Sequence, residues 1–210
     1  MKSRRPLKPS PVRSRTRTTV LFWLAAVAGV VMFAAQQILM ATGVIESTVP
    51  GGDGLGGVRF GVDLSLGVLA LALLPSAIRH DPMEVEESYV GPPSALVACL
   101  VILCVWLVSV LAAPAGAVVL ISLSARLSAN WTVPAVFASL LSIIVHELTY
   151  YPARASIDPP VVAGALLLTL LLILMGSARG LVLRRQAHEA EVRTQPQPVR
   201  TSGADRPDQP

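Results

Sequence analysis

The residues best equipped for chemistry lie late in the chain, in His146-Glu147-Leu148-Thr149-Tyr150. Adjacent histidine and glutamate open the H-E-x-x-H pattern, in which two imidazoles one helical turn apart grip zinc and the carboxylate moves a proton. Here Tyr150 stands where the second imidazole belongs, so the site is one ligand short and no metal is expected. The pair can still titrate, because an imidazole changes charge between about pH 5 and 8. Arg154 follows within a short loop, beside Tyr150 and Tyr151. Ionisable groups at membrane depth are costly and tend to be kept for function. One expectation is therefore an outward-facing ligand or proton sensor in which His146 titrates with Glu147 as its partner. The other is a set of interfacial residues already in water, with Glu147 paired to Arg154.

Other polar residues invite simpler readings. Asp63 is expected in the first turn of a helix, where the dipole favours a carboxylate, four residues after Arg59. Gln36 and Gln37 are expected to hydrogen-bond between helices. Gly52-Asp53-Gly54-Leu55-Gly56-Gly57 matches G-x-G-x-x-G by letter, but it follows no predicted strand and opens an apolar run, so a flexible loop is expected and no dinucleotide. Cys99 and Cys104 are five residues apart on one helix and point to different faces, which excludes a mutual disulfide and makes them small apolar fillers. Gly176 and Gly180 form a G-x-x-x-G that allows close helix contact, within a bundle or in a homodimer. No catalytic constellation, cofactor site or metal site emerges, and the chain is expected not to be an enzyme.

The elements that must position these residues are written in the hydropathy. Hydrophobic residues make up 53% of the chain and charged ones 14%. The apolar residues gather in runs long enough for a hydrocarbon core about 30 Å thick. Five runs stand out, at 19–40, 60–78, 94–112, 131–148 and 161–183. The third continues to residue 127, interrupted only by Ala113-Pro114-Ala115-Gly116. It is either one long crossing or a hairpin turning near Pro114. Asp158-Pro159-Pro160 supplies a cap and a first-turn proline for the last helix, and Asn130 is expected to cap the one before it. Trp23, Trp131, Tyr150 and Tyr151 fall at predicted helix ends, as amphipathic rings do at headgroup level, whereas Trp106 is expected to pack within the bundle.

Charge decides between five spans and six. With a hairpin in 94–127, six spans put both termini in the cytoplasm, and of the 17 Lys and Arg only Arg59 and Arg154 lie outside. A single crossing would split the cations almost evenly. The expected architecture is thus an all-α, polytopic transmembrane helix bundle of six spans in the plasma membrane, five if 94–127 is one crossing. A basic disordered tail occupies 1–18, the bundle 19–183, and a cytoplasmic helix end with a disordered tail 184–210. The fourth span, 115–127, reaches only about 20 Å. It must be buried among its neighbours or thin the bilayer. Ser3-Arg4-Arg5-Pro6-Leu7-Lys8 is close to a twin-arginine export signal, but the apolar run behind it is too long for one and reads as a retained first helix. The basic tail would orient the chain and touch anionic lipid; nucleic acid is not an expected partner. The loop carrying Asp81, Glu84, Glu86 and Glu87 is unusually acidic for the cytoplasmic side, yet acidic residues weigh little in orientation.

The basic amino end, the rhythm of six short spans, the hairpin leading into Leu120-Ile121-Ser122-Leu123-Ser124-Ala125-Arg126, and a last helix running into Arg184-Arg185-Gln186-Ala187-His188-Glu189-Ala190-Glu191 together resemble the amino-terminal membrane region of actinobacterial sensor histidine kinases. The resemblance covers roughly 19–193. It implies a signalling-type input module acting through a membrane-protein or kinase partner, or as a homodimer. Kinase activity is not implied, because His188 lacks the Asp expected after a phosphorylated histidine, Pro196 and Pro198 would break the connecting helix, and no glycine-rich ATP lid or magnesium-binding Asn is present. Two other roles fit the same sequence: a small transport or channel component, with Asp63, Gln36, Gln37, His146 and Glu147 along a path, and a purely structural bundle. Transport calls for polar groups converging at mid-depth, and sensing for a cluster at the outer rim.

Overall fold

The computed structural model describes residues 15–42, 54–79, 93–127, 129–150 and 159–194. Among these residues there are six α-helices and no strand: α1 Arg15–Ala41, α2 Gly54–Ala77, α3 Pro93–Val105, α4 Ala113–Ser124, α5 Ala129–Tyr150 and α6 Pro159–Thr194. Three stretches are long and apolar enough to cross a membrane: Arg15–Ala41, Phe60–Ala77 and Pro159–Gln186. Their sides explain what solvent they need. Only 11% of the α1 and α6 stretches is buried inside the molecule, and Val20, Trp23, Leu24, Val27, Leu170 and Leu174 are among the large apolar side chains left on the outside. So much contiguous apolar surface is incompatible with water and suits lipid.

The core lies in the two short helices. α3 has 13 residues and α4 has 12, about 20 and 18 Å long, short of a 30 Å core. Residues 94–127 fold back on themselves, with Trp106 lying against Gly116. α4 packs against all five other helices, while α1, α2, α3, α5 and α6 succeed one another around it. Among the described residues the backbones of α1 and α6 do not approach closely, and side chains of both line one groove. Trp106, Ile102, Leu103, Val119 and Leu120 are fully enclosed. The short helices are thus at the centre and the long ones face outward.

The fold-back comes earlier than Pro114. α3 stops at Val105, not at residue 112, and Pro114 sits in the first turn of α4. Proline has no N–H and its ring collides with the carbonyl four residues back, so it fits best in the first turn of a helix. Residues 106–112 form the elbow. Its tip, Leu111, touches Gly29 and Gly67, each near the middle of its long helix, so the hairpin turns about half-way along α1 and α2. A Cβ on Gly29 would stand 2.5 Å from the Leu111 carbonyl oxygen, and one on Gly67 would stand 2.5 Å from the Leu111 side chain. Only glycine admits the elbow at both places.

Helix starts also differ from expectation. α2 begins at Gly54, so Gly54 to Gly57 are helical and not a loop; Gly52 and Asp53 lie outside the described residues. α5 begins at Ala129, which places Asn130 inside the first turn rather than at the cap. α6 begins at Pro159, with Pro160 also in its first turn. The basic residues collect at one end. Arg17 and Arg179 share a groove, Arg184 donates to the Arg126 carbonyl at 3.0 Å, and Arg79 follows the end of α2, whose Ala77 carbonyl receives the Cys99 thiol at 3.6 Å.

Gly176 and Gly180 hold α6 against α4. An added Cβ on Gly176 would lie 2.6 Å from the Ile121 carbonyl oxygen, and one on Gly180 would collide with the carbonyl of Ala125. Gly180→Val is expected to cost about 1–3 kcal/mol of stability, read as a lower thermal midpoint of the full chain in detergent. Gly164→Val, where a Cβ meets nothing within 4 Å, is expected to stay within about 0.5 kcal/mol. Equal losses at the two positions would contradict close α4–α6 packing.

Candidate functional site

The elbow presents a problem that its neighbours solve. Backbone groups that leave a helix inside an apolar bundle each cost several kcal/mol unless something else bonds them. Ser109 does part of this work: its hydroxyl accepts from the Ala112 N–H at 3.3 Å and donates to the Asp63 carbonyl at 2.9 Å, tying the start of α4 to α2. Ser142 of α5 accepts the Leu107 N–H at 3.1 Å. The turn itself closes through Val108 and Ser109 N–H groups bonding to the Val105 carbonyl and Ala112 N–H to that of Ser109, each at 3.0 Å. Both Ser109 and Ser142 are fully buried.

Asp63 is the charge at this place. It lies ten residues into α2 rather than in its first turn, because the helix starts at Gly54. The dipole that favours it belongs to α4: the Ser109 hydroxyl and the N–H groups of Val110 and Leu111 face its carboxylate, just ahead of the first turn of that helix. Asp63 is 4% exposed, and its Oδ1 has no hydrogen-bond partner among the described residues. His146 of α5 is within electrostatic reach of the same carboxylate and is half-buried. Asp63 beside the elbow and His146 of α5, widely separated in sequence, are thus brought within electrostatic reach of one another.

Other expected site residues divide into three groups. Glu147 and Tyr150 belong to the last turn of α5, and only their backbone is described; Arg154 lies outside the described residues. Gln36 and Gln37 are half-buried on α1, and Gln36 Oε1 is enclosed without a hydrogen-bond partner among the described residues. It stands about one helical turn beyond Phe33, which packs on Phe60 of α2 with ring centroids 5.4 Å apart. Gly176 and Gly180 touch α4 and take no part in the elbow. Among the described residues no three His, Cys, Asp or Glu side chains group as metal ligands.

Sequence reasoning missed Ser109 and Ser142. Each is a lone hydroxyl in an apolar run, and the available signal was Pro114: a helix that starts at a proline leaves N–H groups ahead of it, and a buried acceptor must exist for them. Comparison of the chain with known protein families, with characterised proteins and with solved structures gives no match.

Asp63→Leu removes the carboxylate faced by the elbow's N–H groups and is expected to cost about 1–3 kcal/mol. Asp63→Asn, which keeps an acceptor oxygen, is expected to lose less. Ser142→Ala orphans the Leu107 N–H and belongs in the same range as Asp63→Leu, while Ser65→Ala, on the exposed face of α2, is expected to be neutral. Thermal unfolding in detergent orders the four, and an Asp63→Leu protein as stable as Ser65→Ala would exclude a supporting role for the carboxylate.

Proposed function

We propose that the chain is a non-catalytic membrane module of the signalling-input type, in which the Asp63–His146 pair sets the state of the buried elbow and α6 carries that state out of the bilayer. The observation that carries this reading is the continuity of packing from elbow to α6. α4 starts at the elbow and packs backbone to backbone on α6 through Gly176 and Gly180. α6 is an unbroken helix of 36 residues, about 54 Å long, which runs on past its apolar stretch into exposed Arg185, Gln186, His188 and Glu189. A change in charge at the elbow moves α4 only if it moves what α4 is locked to. In this proposal a partner protein, or a second copy, receives the movement of α6.

In this reading both termini are cytoplasmic. The hairpin of α3 and α4 enters and leaves at the basic end, so the parity of the threading is the same whether its arms cross fully or turn half-way as a re-entrant pair. Non-helical backbone is tolerated at that depth where protein encloses it. A transport or channel role is the second reading, favoured by one observation: Asp63, Ser109 and His146 meet between helices and not at the outer rim. Against it stands the position of α4, whose side chains fill the axis a path would follow.

The test uses the full chain, with Cys99 and Cys104 replaced by Ala, in lipid nanodiscs. Spin labels at Arg79 and Gln186 report the position of α6 relative to α2. The expected result is a distance distribution that shifts between pH 5 and pH 8 and becomes insensitive in both Asp63→Asn and His146→Gln. A distribution that ignores pH, or a shift that survives both substitutions, contradicts the proposal. Proton flux into liposomes that depends on Asp63 would favour transport instead.

A further inference from the structure

α4 ends in a conformation that its own residues do not favour. Its hydrogen-bond ladder tightens as the helix closes. The Ala125 N–H bonds to the Ile121 carbonyl, four residues back, at 3.0 Å, while the N–H groups of Arg126 and Leu127 bond to Leu123 and Ser124, three back, each at 3.1 Å. Leu127 then turns left-handed, with φ at 53°, and among the described residues no other non-glycine residue does so. Helices often close on a left-handed residue, but the usual choice is glycine, because a Cβ there crowds the following carbonyl oxygen. Strain of this kind persists only where the surroundings hold it.

What surrounds this turn is α6. Gly176, Gly180 and Arg184 recur every four residues along one stripe of that helix, and each meets the end of α4. Gly176 lies against Ile121 and Ser124, Gly180 lies against Ala125, and the Arg184 guanidinium donates to the Arg126 carbonyl at 3.0 Å. The positive group also sits at the carbonyl end of α4, where the helix dipole is negative. The Arg126 carbonyl belongs to the peptide plane that the φ of Leu127 orients, so a return of Leu127 to negative φ swings the acceptor off its donor.

We propose that Arg184 and Leu127 form a latch: contact with α6 holds the end of α4 in its left-handed turn, and withdrawal of α6 lets Leu127 return to negative φ. The magnitudes permit both states. A left-handed non-glycine residue is disfavoured roughly 5- to 30-fold, whereas a hydrogen bond from a charged donor is worth roughly tenfold or more. With the bond the strained form prevails, and without it the relaxed form does. A slide of α6 by one helical turn carries the guanidinium about 5.4 Å, out of bonding reach. The latch needs only the packing of α4 on α6, and it stands whether or not Asp63 and His146 titrate.

The experiment is NMR of the full chain in detergent micelles, with carbonyl-labelled arginine and nitrogen-labelled leucine. Arg precedes Leu once in the sequence, at Arg126-Leu127, so a single amide signal reports the turn. Its contact between the amide proton and its own Hα is shorter at this positive φ than at any negative φ. The unaltered chain is expected to show the left-handed contact. In Arg184→Met, which keeps an unbranched stem and removes the donor, the left-handed fraction is expected to fall below about one-fifth. Gly180→Val, which forces α6 off α4, is expected to release the turn in the same way, and Arg185→Met, at the exposed neighbouring position, to leave it latched. Circular dichroism establishes that each variant keeps its helices. A Leu127 that stays left-handed in Arg184→Met or in Gly180→Val, or that is released equally by Arg185→Met, overturns the latch.

Discussion

The structure depends on how seven residues of non-helical backbone are kept in an apolar interior. Residues 106–112 leave the helical ladder among side chains such as Trp106, Val119 and Leu120, where water is not at hand to bond what the break exposes. The groups that close it come from the elbow and two helices: Ser109 within the elbow and onto α2, Ser142 from α5, and Asp63 from α2 facing the start of α4. Take these away and the hairpin has either to straighten, which would put Pro114 inside a helix at a cost of about 3 kcal/mol, or to carry bare N–H groups in oil.

From that constraint the arrangement of the bundle follows. A hairpin with an elbow this polar has to be surrounded, and it is: α1, α2, α5 and α6 flank it. The wrapping has to be tight at the tip, where Gly29 and Gly67 give way to Leu111, and along α4, where Gly176 and Gly180 bring a second backbone within carbonyl contact. The long helices then turn their remaining apolar faces outward. Enclosure also ties the elbow to everything around it, since α4 cannot shift without disturbing α6, and the Arg184 bond to the Arg126 carbonyl extends that coupling to the basic end.

What the sequence disclosed and what it hid have physical reasons. Among the described residues, apolar run length located α1, α2, α5 and α6 and marked 94–127 as one apolar stretch, while the division of that stretch into α3 and α4 was inferred from the sorting of arginines, because one crossing would have spread them evenly. The place of the turn was read one feature too late: Pro114 looked like the bend and is the restart after it. Asp63 was assigned to the dipole of its own helix because glycines 54 to 57 suggested a loop, yet the helix includes them and the favourable dipole is that of α4. That His146 comes within electrostatic reach of Asp63 could not be read at all, since it is a property of how α2 and α5 flank the hairpin and neither residue carries a local signal of the other. Glu147, adjacent in sequence to His146, is the partner that spacing suggests, and its side chain lies outside the described residues.

Amide hydrogen exchange of the full chain in lipid nanodiscs addresses the enclosed elbow most directly. Peptides covering 106–112 should exchange as slowly as those of α4, with protection falling selectively there when Asp63 is replaced by Ala. Exchange of 106–112 as rapid as that of the chain termini would mean that the elbow is open to water, and the coupling of Asp63 and His146 to α6 would lose its physical basis.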